Sequence, residues 1–237
     1  MTRALLLVAH GTRAAAGAAV SRRLAAEVAC RLPDTVVRLA FCDVSGPFMG
    51  QVMPELQKYS EVIVVPVFLA PGYHVRIDLP EQLEAAGMAD RARVTPALGA
   101  HPRLVASAED RLREAGWRPG DTTVLAAAGS RDPEAGGAVR AAARALGRRL
   151  GCPVRVGYLT SAEPRVSALV EELRTDGRRV AAASWLLAPG VFQGWLDGAG
   201  ADVTAAPLGV HAGVVDAVVT RYRAELRRPL HGDPEVA

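Results

Sequence analysis

The chain repeats itself, and nothing else in it constrains the fold as much. Leu7-Val8-Ala9-His10-Gly11-Thr12-Arg13 returns as Leu125-Ala126-Ala127-Ala128-Gly129-Ser130-Arg131, 118 positions on. At the same offset Leu69-Ala70-Pro71-Gly72 returns as Leu187-Ala188-Pro189-Gly190, and Val62-Ile63-Val64-Val65 falls on Val180-Ala181-Ala182-Ala183. Leu98-Gly99-Ala100-His101 matches Leu208-Gly209-Val210-His211 at an offset of 110, so the second copy is eight residues shorter in between. Three matches at one spacing and a fourth in order make the chain two diverged copies of a unit of about 115 residues. The expected division is 1–118 and 119–228, with a linker near 115–121 and a tail over 229–237.

Each copy alternates apolar runs with helically spaced segments. In the first, 4–9 suits a buried parallel strand, and 14–31 places Val20, Leu24, Val28 and Leu32 on one helical stripe. Strand 35–41, helix 47–59, strand 61–67 and loop 68–76 follow. A short helix starts near Leu79, with Asp78 as its N-cap and Pro80 in its first turn. Strand 93–95 and helix 102–115 complete the copy. The second reads as strand 122–127, helix 133–150, strand 154–159, helix 163–175, strands 179–185 and 202–205, and helix 210–227. Such alternation predicts an α/β fold, each copy a parallel sheet flanked by helices.

Composition removes several function classes. Half the residues are hydrophobic and 22% charged, which excludes a disordered tail. With only 5% aromatics, the core must come from Ala, Val and Leu. The net charge is +3, but Lys58 is the only lysine, no basic run exceeds two residues, and acids lie between the arginines. No clustered basic patch marks a nucleic-acid partner. Cys30, Cys42 and Cys152 form no CxxC pair, which argues against a disulfide framework or zinc knuckle. The apolar stretch before His10 is too short for a signal peptide, and runs 62–71 and 180–192 are too short to span a bilayer. A cytoplasmic protein without a membrane partner is expected.

Ligands of open α/β sheets sit at the carboxyl ends of the strands. His10, Asp43 and His74 follow three successive strands of the first copy. Two imidazoles and a carboxylate suit a divalent first-row metal, and imidazole also takes protons near neutral pH. Each residue has a plainer alternative: a turn histidine, a capping aspartate, a polar loop histidine. At the repeat offset the three become Ala128, Ser161 and Phe192, while the glycines and Leu-Ala-Pro-Gly remain. One active lobe and one kept for shape fit that pattern, with Phe192, Gln193 and Trp195 walling a cleft or packing in a core. Gly11-Thr12-Arg13 at a helix start offers N–H groups to an anion, without GxGxxG or a Walker motif. Arg13, Arg76 and Arg131 suit carboxylates. His101 and His211, retained in both copies, read as helix-entry residues, and Asp132-Pro133 as an N-cap and first-turn proline.

The segment Leu7–Arg13 and the long run from Val65 through Phe68-Leu69-Ala70-Pro71-Gly72-Tyr73-His74-Val75-Arg76 to Pro80 resemble the sirohydrochlorin chelatase family. Residues beyond Asp121 resemble the degenerate second copy of its two-lobed form. The resemblance implies a ferrochelatase-type fold, two α/β lobes facing across a cleft, and insertion of Co²⁺ or Fe²⁺ into sirohydrochlorin for siroheme or cobalamin synthesis. The metal is then a substrate, Ni²⁺ also matching the donors, and no prosthetic group is needed. His10 and His74 correspond to the family's metal-handling, catalytic pair. Asp43 stands where members often have Glu, its carboxylate one methylene shorter. Gly11, Thr12, Arg13, Gly72, Tyr73, Arg76 and Phe192 are expected to face the macrocycle. Fused lobes make a monomer the expected form. The alternatives are a tetrapyrrole or metal carrier on the same scaffold, and an enzyme acting on a phosphorylated small molecule at Gly11-Thr12-Arg13.

Overall fold

The computed structural model describes residues 3–72, 74–175 and 177–228, with the side chains of His74 and Val75 left out. Two four-stranded parallel sheets result. The first runs in the order β2 (Val36–Phe41), β1 (Arg3–Ala9), β3 (Glu61–Pro66), β4 (Ala92–Val94). The second runs β6 (Val154–Tyr158), β5 (Thr122–Ala127), β7 (Val180–Trp185), β8 (Val203–Thr204). Val8 pairs with Pro66 and Ala126 with Ser184, so the 118-residue offset is a register in space as well as in sequence. The strand order reverses between β1 and β3, and again between β5 and β7, creating a crevice at the carboxyl ends in each sheet.

Both faces of each sheet are covered. Alternate residues of the first sheet (Ala4, Leu6, Val8, Val62, Val64) meet α2 (Met49–Leu56) and α3 (Leu79–Ala85) on the outside. Val124, Ala126, Val180 and Ala182 meet α6 (Val166–Arg174) and α7 (Val191–Asp197) outside the second. The opposite set, with Leu5, Leu7, Ile63, Val65, Leu125 and Ala183, joins one continuous core between the sheets. That core is filled by α1 (Ala15–Arg31), α4 (Pro102–Glu114), α5 (Pro133–Leu150) and α8 (Ala212–Leu226). Each fully buried Leu, Ile or Val there contributes about 1.5–3 kcal/mol.

The last helix of each repeat crosses over. The first repeat's α4 packs on α5 and β7 of the second, and α8 packs back on α1 and β3 of the first. The two meet closely: a Cβ on Gly213 would lie 2.4 Å from Ser107 Oγ and 2.6 Å from the Arg103 carbonyl. The sequence division at 118 therefore separates the sheets but not the packing.

His101 and His211 start these crossing helices, the role expected of them. The Nδ1 of His101 accepts from the Arg103 N–H, and that of His211 from the Gly213 N–H, each at 3.2 Å. Burial, followed by the guanidinium groups of Arg221 and Arg103, lowers the His101 pKa. Only the neutral ring can accept at Nδ1. Below its ordinary value of about 6.5, the unfolded chain therefore binds a proton that the fold excludes. Stability should fall as pH drops through that value, and His101→Asn, which caps without titrating there, should flatten the fall. Thermal melts of both proteins between about pH 7.5 and pH 5.5 check this.

Three expectations change. Asp78 makes no capping bond, because the helix does not begin there: a π-helical turn, His74–Asp78, runs straight into α3. The helix α7 was not predicted, since Gly190, Gly194 and Gly198 punctuate it and its apolar residues Val191, Phe192 and Trp195 face outward. Asp43 corresponds to Thr160 rather than Ser161. Its amide donates to the His10 carbonyl as that of Thr160 does to Ala128, because the second copy is one residue shorter between β5 and β6, where Val154 pairs with Thr123 as Val37 does with Leu5.

Candidate active site

His10 is the first residue beyond β1, exposed at the crevice of the first sheet. What places it there is Gly11. Its φ is +97°, and a Cβ would fall 1.8 Å from the Asp43 carbonyl oxygen. The chain leaving β1 thus presses on the chain leaving β2. The second copy repeats the contact, with Gly129 at φ +100° and a hypothetical Cβ 1.9 Å from the Thr160 carbonyl. The Phe68 ring lies 6.1 Å from the His10 ring at an interplanar angle of 53°, a tilted aromatic contact.

Two open spaces meet at His10, and they are pseudo-symmetric. One, ≈ 1380 Å³, lies between the β1 exit with the start of α1 and the loop Leu186–Phe192 of the second lobe. The other, ≈ 1060 Å³, lies between the β5 exit with the start of α5 and the loop Val67–Gly72 of the first. Each wall of one is the repeat partner of a wall of the other. Their lining is mostly apolar, as a broad flat ligand requires.

The expected residues divide between these spaces. His10, Gly11, Thr12, Arg13 and Phe192 line the first; His10 and Gly72 line the second. Phe192 packs at a tilt against the half-exposed Trp195, with centroids 5.3 Å apart. Arg13 is exposed and, among the described residues, pairs with no acid. Tyr73 and the side chain of His74 lie outside the described residues. The backbone of His74 opens the π-helical turn after the Leu-Ala-Pro-Gly loop. Among the described residues, no three His, Cys, Asp or Glu side chains gather as a metal cluster.

Other residues differ from expectation. Asp43 is exposed and does not cap α2; its Oδ1 accepts from the Val44 N–H at 2.6 Å, in a turn where Val44 has φ +63°. Beside it, the Cys42 thiol is pushed up to about 11 by burial, then by the Asp78 and Asp43 carboxylates. Gln193 is no cleft wall: it is buried, takes a bond from Ser184 Oγ at 2.8 Å and donates to Asp197 and the Ala205 carbonyl. The amide of Thr12 donates to Ser45 Oγ, and its hydroxyl accepts from the Ala14 N–H. Half the anion cradle is thus closed internally. Arg76 donates to Asp132 and Glu134 of the other lobe. Tyr158 and Trp185 line the second space and were not predicted. Trp185 was readable in principle, standing 118 positions beyond Val67.

Comparison with known proteins bears on the family and the fold. The CbiX family model matches twice, over residues 4–115 and 122–225. A sirohydrochlorin cobaltochelatase of Methanococcoides burtonii is 29% identical over 93 residues, 38% of this chain and 71% of the relative. That of Methanothermobacter thermautotrophicus is 29% identical over 131 residues, 47% of this chain and 91% of its own. Among solved structures, the sirohydrochlorin chelatase SirB of Bacillus subtilis subspecies spizizenii, in complex with cobalt, shares the fold. Its TM-score is 0.81, at 18% identity, over 98% of both chains. CbiX, described as the terminal enzyme of siroheme biosynthesis in denitrifying bacteria, gives a TM-score of 0.70 at 25% identity, over 94% of this chain and 99% of its own. No described helix is long and apolar enough to cross a membrane. Matched in both repeats and over nearly its whole length, the chain belongs to the CbiX family of sirohydrochlorin chelatases.

Proposed function

We propose that this chain inserts a divalent metal, Co²⁺ or Fe²⁺, into sirohydrochlorin, with two pyrrole N–H protons released for each ion taken up. One observation carries the reading: His10 stands where the two halves of the cleft meet, and the repeat puts Ala128 in its place on the other lobe. Insertion needs the ion beside the ring nitrogens, a partner that sheds its water, and an acceptor for protons. His10, with His74 from the adjoining turn and Asp43 across the β1–β2 crossing, supplies nitrogen and oxygen donors of the right softness. The imidazole of His10 serves as proton acceptor once the ion has moved to the ring.

The macrocycle lies along the apolar walls, against Phe192 and beside Gly72. Arg13, paired with no acid among the described residues, meets a carboxylate at the wider mouth through its planar fork. One chain supplies both walls, so a monomer suffices. The test is anaerobic: sirohydrochlorin absorbance is followed with Co²⁺ and with Fe²⁺ at catalytic protein concentration. Many turnovers above the uncatalysed rate are expected, and the ratio of the two rates assigns the metal. Stoichiometric binding without turnover would make the protein a carrier instead.

A further inference from the structure

The geometry points to Arg76, Asp132 and Glu134 as a latch by which the lobe without metal ligands positions the turn carrying His74. The inference rests on the metal-handling role proposed for His74. Arg76 lies two residues beyond it, inside the five-residue π-helical turn His74–Asp78. Its guanidinium forks across the cleft, Nη1 donating to Glu134 Oε2 at 2.8 Å and Nη2 to Asp132 Oδ2. Both acids open the 18-residue helix α5, with Asp132 as N-cap and Oδ1 accepting from the Glu134 N–H at 3.0 Å. Each oxygen of Asp132 is therefore engaged, one holding its own helix and one the opposite lobe.

The turn needs such a hold. π-Helical turns are uncommon and cluster at functional sites. Arg76 and Ile77 are exposed, and the chain regains the core only at Leu79, 1% exposed. Before that point the described backbone of the turn is tied down by the Arg76 N–H to Gly72 carbonyl bond, 3.2 Å.

The repeat shows that the latch is one-sided. At the 118-residue offset Asp132 and Glu134 correspond to Ala14 and Ala16, and Arg76 to Gly194. The wider space therefore has no counterpart bridge. The lobe that lost its histidine carries the acids, and they reach the turn of the histidine that remains.

Magnitudes separate positioning from stability. A partly exposed ion pair contributes about 0–1 kcal/mol to folding. A metal ligand whose supporting contact is removed typically loses about 10–100-fold in affinity. Asp132→Asn/Glu134→Gln removes both charges, and Asn still caps α5. Arg76→Ala removes the other side, and all three together close a cycle. Co²⁺ affinity, read from the d–d absorption of the bound ion, should fall about tenfold in either variant, and no further in the triple one. Melting temperatures should stay with the wild type. Wild-type Co²⁺ affinity in Asp132→Asn/Glu134→Gln, or losses that simply add in the triple variant, would overturn the latch. Metallation of sirohydrochlorin by the wild type is run alongside. If the wild type neither binds Co²⁺ nor metallates the ring, the proposed function fails and the latch falls with it.

Discussion

Replacing His10 by Ala should lower the rate of metal insertion by about 100-fold or more while leaving the melting temperature unchanged. The imidazole is exposed at the end of β1, so its removal opens no buried cavity. The residues that build the strand, Leu5 to Val8, are fully buried and untouched. Two functions go at once: a nitrogen donor to the ion and an acceptor for a pyrrole proton. Their loss should appear in kcat, because both are exercised as the ion crosses to the ring. KM for sirohydrochlorin should move little, since the walls of both spaces persist. A variant with the wild-type kcat would remove His10 from the chemistry and leave the cleft as a binding site.

Changing Ala128 to His is the informative counterpart. It restores an imidazole at the equivalent exit of β5, beside the narrower space. The second lobe has Phe192 where the first has His74, so the new imidazole has no partner on its own sheet. In the His10→Ala background it should rescue little.

What the sequence disclosed, and what it withheld, follow from the kind of constraint at each residue. Gly11 and Gly129 were visible because a backbone crossing admits no side chain, and such a requirement outlasts divergence. His10 was visible because it sits beside that fixed glycine. The exchange of α4 and α8 was hidden: a helical stripe such as Leu104, Ala108 and Leu112 shows that a helix buries one face, not which sheet receives it. The partners of Arg76 were equally hidden, lying 56 and 58 residues away on another element. Asp43 was matched to the wrong residue because one position lost between β5 and β6 is invisible to a constant offset. The outward apolar face of α7 defeats periodicity, which assumes that Phe192 and Trp195 seek the core; over a cleft for a flat ligand they need not.

The second large effect is on folding. Gly11→Ala should cost about 4 kcal/mol or more, a size reserved for specific structural failures. A left-handed φ alone costs an alanine about 1–2 kcal/mol. The rest comes from the Cβ, which would stand 1.8 Å from the Asp43 carbonyl, where the neighbour is backbone and cannot rotate away. Either β1 and β2 separate at their ends or the turn around Val44 is rebuilt. At about 2–4 °C per kcal/mol for a chain of this size, Tm should fall by roughly 8–16 °C. Gly129→Ala, with its Cβ 1.9 Å from the Thr160 carbonyl, should cost as much although the residue before it is Ala128 and not a candidate metal ligand. Gly151→Ala is the control: φ is +69° at the end of α5, and nothing lies within 4 Å of the added carbon. It should lose only the strain, about 1–2 kcal/mol. Equal, small losses at all three positions would mean that the close crossings are not rigid. His10 would then owe its place to something other than the glycine that follows it.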